Sequence, residues 1–240
     1  MHDQAFHREI DLHVDGGPLM GPPYAKDCIM DHEQRMAAAT KVDSERAAKI
    51  VRNIEQIGED GTLAIDVLSE RMMKSAVEAI SKVAVAPWQV IEVEWAARIV
   101  CPEWKMARGV GTGDAWLELT EIGPEDEEGF SWVSVAVGVG PTRLGLELVF
   151  RRGLQEYAES AIFDDKLVAT LLKLGMMRDD TSSRLFFPID IQAELLAQGF
   201  ATNDLGKALL PAGKATEQAI TAKAELDRLI GHVRSLATGK

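Results

Sequence analysis

Apolar positions along the chain recur first at helical spacing, then in alternation, then at helical spacing again. Met36, Ala39, Ala47, Ile50, Ile54 and Ile57 step by three and four often enough to predict an amphipathic helix over about 32–57. Asp31 can cap it, with Gln34 three residues on. Gly58 is a natural stop, and the turn Glu59-Asp60-Gly61 leads into a second stripe: Ile65, Leu68, Met72, Ala76, Ile80 and Val83. Two helices joined by so short a link predict an antiparallel helical hairpin over residues 31–86. Ahead of it, residues 1–30 are broken by Gly16-Gly17-Pro18 and Gly21-Pro22-Pro23 and read as an arm.

Trp88, Ile91, Trp95 and Ile99 fall at helical spacing, so 88–100 is expected to be a helix ending before Pro102, although Val90 to Trp95 also alternates. The period then changes to two. Strands are expected over 113–122, about 130–139 and 142–151, separated by the acidic turn Gly123 to Gly129 and by Gly140-Pro141. The third is the clearest, with Leu144, Leu146, Leu148 and Phe150 facing one way. Further strands are expected over 105–110 and 184–189, the latter at a sheet edge because Pro188 cannot donate to a ladder.

Helical spacing returns over 154–174, with a break near Phe163-Asp164 where Asp164 can cap the second part. Asp190 is expected to cap a helix running to Gly199. A last helix is expected over 211–237, with Pro211 in its first turn. Its stripe of Ala219, Ala222, Leu226, Leu229, Val233 and Leu236 alternates steps of three and four. That pattern suits packing on the chain's own core and also permits a homodimer through 211–237. The fold class that follows is α+β: an antiparallel three- to five-stranded meander packed with an N-terminal helical hairpin and C-terminal helices. The organisation is an arm at 1–30, the hairpin at 31–86 and an α+β domain at 87–240.

Composition narrows the function. Of the 240 residues, 46% are hydrophobic, enough for a core and too many for a wholly disordered chain. The formal charge is −12, which disfavours direct nucleic-acid binding. Residues 88–139 concentrate it, with ten acidic residues against Arg98, Lys105 and Arg108. Two cysteines, Cys28 and Cys101, lie far apart and suit a reducing, cytoplasmic setting. No run approaches the ~20 apolar residues that span a bilayer, and the first residues do not read as a signal peptide.

Candidate chemistry is sparse. Asp11, His13 and Asp15 would share one face of a strand, and with His32 they are the residue types a divalent metal favours, but the spacing matches no closed ligand set. The run Gly109-Val110-Gly111-Thr112-Gly113 precedes a strand rather than a helix, which argues for a turn or bulge over a phosphate cradle. Asp114, Glu118 and Glu147 are the candidates for nuclease-type carboxylates, but neither glutamate is followed two residues on by lysine. No GxSxG elbow is present, and no cofactor is expected. The expectation is therefore a non-enzymatic intracellular adaptor, chaperone or inhibitor that binds a protein with a basic surface. Its binding residues would be the acidic sheet and hairpin: Glu125, Asp126, Glu127, Glu128 and Trp132. The alternative is a metal-dependent hydrolase built on His13, Asp11, Asp15 and His32.

Overall fold

A computed structural model of the chain describes residues 44–53, 67–93, 96–104, 113–124, 131–179 and 183–239. The chain divides into Met1–Lys41, which lies wholly outside the described residues, and Val42–Lys240, to which everything below refers. The proposed metal ligands Asp11, His13, Asp15 and His32, the acidic run Glu125 to Glu128 and the strand expected at 105–110 also lie outside the described residues.

The fold is α+β. Among the described residues its sheet has six strands, one more than the upper expectation: β1 (Gln89–Val93), β2 (Ala96–Val100), β3 (Ala115–Ile122), β4 (Arg143–Phe150), β5 (Met177–Asp179) and β6 (Arg184–Pro188). The spatial order is β1-β2-β3-β4-β6-β5, antiparallel throughout. β3 and β4 pair along their whole length, from Ala115 opposite Phe150 to Ile122 opposite Arg143. As the alternation predicts, Leu144, Leu146, Leu148 and Phe150 are buried, and they meet Leu117, Leu119, Ile99 and Phe187 in one core.

The helices are α1 (Ser44–Arg52), α2 (Ser69–Val83), α3 (Trp132–Ala136), α4 (Gln155–Ile162), α5 (Asp165–Lys173), α6 (Ala193–Thr202), α7 (Leu210–Thr221) and α8 (Lys223–Thr238). α1 and α2 fall inside the two helices expected from the stripes. The main partner of α1 is α6, and that of α2 is α7. The Asp164 break holds: its Oδ1 accepts from the Lys166 amide at 2.9 Å and starts α5.

Five local expectations are corrected. Within the expected helix 88–100, residues 89–93 and 96–100 form the paired strands β1 and β2 instead. Alternation won there because Val90, Ile91, Val93, Ile99 and Val100 favour a pleated surface, and β2 gains β3 as a neighbour. Residues 132–136 are helix α3 rather than a strand. Ser131 accepts from the Ser134 amide at 3.1 Å, and the Ser134 hydroxyl accepts from the Ser131 amide at 2.9 Å, a reciprocal cap that outweighs the β-branched run. The full-length β3–β4 pairing also leaves no place between those strands.

β6 is interior, not an edge strand. Pro188 is its last residue, and the outer position is taken by β5, whose three residues gave no pattern to read. Asp190 does not cap α6, which begins at Ala193 with Gln192 at the cap position. The single terminal helix is two, divided at Ala222. Their shared stripe from Ala219 to Val233 is buried within this chain, while Leu236 is 41% exposed.

Candidate functional site

Three arrangements of polar residues stand out, and the first two are closed on themselves. At one end of the sheet, buried Asp114 receives Arg151 Nε on Oδ1 at 2.6 Å and Arg234 Nε on Oδ2 at 2.8 Å. Arg234 also donates to the Trp104 carbonyl at 2.8 Å. The Trp104 indole donates to Asp227 at 2.7 Å, and Lys223 bridges Asp227 and Glu103. Burial works against the Lys223 charge, but the hydrogen bonds to Asp227 and Glu103 outweigh it and hold its pKa above the usual lysine value. Cys101 is a buried free thiol nearby, its pKa pushed up by burial. These groups staple α8 to the start of β3.

The second arrangement crosses the sheet on the face away from the Leu146 core. Register places Ile91, Arg98, Glu118, Glu147, Phe186 and Met177 in one row over all six strands. Glu118 and Glu147 are directly opposed, a like-charge pair that would be destabilising alone. Each is matched by an arginine on its outer side. Arg98 donates to Glu118 at 3.1 Å and lies 5.1 Å from the Trp116 ring centre, whose indole also donates to Glu118. Arg184 donates to Glu147 at 2.6 Å and to the Glu121 carbonyl at 2.7 Å. The three carboxylates raised as nuclease candidates are thus all held by arginines, with Asp114 in a separate cluster from the other two.

The third arrangement is open. A cleft of about 930 Å³ lies among α2, α7, the α6–α7 loop and the end of β6. Its walls follow from local sequence. Asn203 ends α6 at φ 58°, a left-handed conformation that asparagine tolerates. The chain then folds back on Gly199, where a Cβ would come within 2.8 Å of the Asp204 carbonyl. Asp204 Oδ1 accepts from the Gly206 amide at 3.0 Å, and Arg71 donates to Asn203 at 2.6 Å, so loop and α2 are tied together. Pro211 sets the first turn of α7.

Into this cleft come four carboxylates (Glu78, Asp190, Asp204, Glu217) and two lysines (Lys82, Lys214). None of the six forms an ion pair with another described residue. Ala79, Val83, Leu205 and Pro188 contribute apolar lining, and Leu210 stands at the cleft 65% exposed. The arrangement offers charge and an apolar contact to a ligand, and its lining contains neither histidine nor cysteine. Sequence reasoning missed it. Its residues come from four segments, and the one signal available was Asp190, read as a helix cap.

Trp132, expected at a binding surface, is half-buried at the start of α3 and packs against the core. His232 is exposed on α8. Among the described residues no group of three or more His, Cys, Asp or Glu side chains is placed to hold a metal, and no helix is long and apolar enough to cross a membrane. No protein-family model matches the chain, and no curated protein or solved structure matches it either.

Proposed function

We propose that the chain is a non-enzymatic protein-binding protein of the cytoplasm, and that it receives a basic segment of its partner in the cleft between α2 and α7. The observation that carries this reading is the make-up of the cleft. Its carboxylates outnumber its lysines two to one, they have no ion-pair partners among the described residues, and they share the lining with Ala79, Val83, Leu205, Pro188 and the exposed Leu210. A few well-placed apolar anchors within a charged rim are what concentrate binding energy at interfaces, while the charges set specificity and association rate. The buried free thiol of Cys101 suits the reducing compartment proposed.

Fluorescence anisotropy with labelled peptides tests the proposal, using peptides of equal length that carry one leucine amid lysines, serines or glutamates. The lysine peptide should bind best, and more weakly as salt rises, because exposed charges are screened over ~10 Å at 0.1 M. Leu210→Ser should weaken it about tenfold, equivalent to about 1.4 kcal/mol, and Glu78→Gln with Glu217→Gln should erase the preference for lysine over serine. Equal binding of all three peptides, or an unchanged preference in the double variant, would remove the cleft from the function.

A further inference from the structure

We draw no further inference here: the strongest candidate, the exposed apolar side chains of Phe163 at the end of α4 and Met177 on β5, the outer strand among the described residues, carries nothing, because nothing in the structure shows what covers either of them.

Discussion

Gly145 shows how one missing side chain shapes a sheet face. A Cβ there would lie 2.8 Å from Ile122 Cγ1 and 2.9 Å from Phe186 Cδ2. Without it, Ile122 and Phe186 close over the strand, and both are buried although they sit on the face opposite the main core. Gly145→Ala should therefore destabilise the fold by about 1–3 kcal/mol, as overpacking does, read as a lower urea midpoint. No loss would mean that the two neighbours yield freely. Asp114 is the other critical residue. Asp114→Asn removes the charge shared by Arg151 and Arg234 while keeping the shape. With the aspartate nearly fully buried and the arginines partly solvated, the expected cost is about 2–3 kcal/mol, measured by chemical denaturation. A double variant with Arg234→Met should recover part of it.

At the level of elements, α8 depends on side chains far from it in sequence. Lys223 occupies its first turn, where a cation opposes the helix dipole, and it is held there by Glu103 and Asp227. Because folding raises its pKa, its contribution is complete below the unfolded value of about 10.4 and is lost as pH rises through the higher folded value. Lys223→Gln should lower stability at neutral pH and flatten the decline of stability between about pH 10 and the alkaline limit. A variant with the same alkaline slope as the parent would show that the lysine titrates as if exposed.

The elements most legible in sequence were those whose pattern agreed with their surroundings. Strand β4 alternates cleanly and is buried on one face, and Asp164 caps α5 as its type suggests. The failures lie where a local signal met a stronger one. The Ser131–Ser134 cap turned a valine-rich run into a helix, and cross-strand pairing made two strands of residues 89–93 and 96–100, where the stripe suggested a helix. The cleft had no pattern to follow, because four segments distant in sequence converge on it.

For the whole molecule, charge counted along the chain is a poor guide to charge on the surface. Residues 88–139 read as strongly acidic, yet Glu103, Asp114 and Glu118 are answered by Lys223, Arg151, Arg234 and Arg98, three of them from beyond that stretch. Completeness is likewise global. Leu226, Leu229, Ile230 and Val233 of α8 are essentially inaccessible to solvent within this one chain. A chain ending after Thr221 should accordingly lose cooperative unfolding and aggregate. Were it to remain folded, with light scattering showing a halved mass relative to the parent, α8 would be an assembly element instead.

The sheet order carries a consequence for how the chain is made. Strands β2 to β4 can pair with their predecessors as synthesis proceeds, each against a neighbour already present. β5 cannot: among the described residues its partner is β6, which is made after it and must enter between β5 and β4. Until β6 emerges, the edge of β4 at Gly145, Leu146 and Glu147 presents unpaired backbone groups, the kind of edge that invites pairing with another chain. At about 5–20 residues per second that window lasts seconds, and a ribosome that pauses between β5 and β6 holds a nascent chain at its most adhesive.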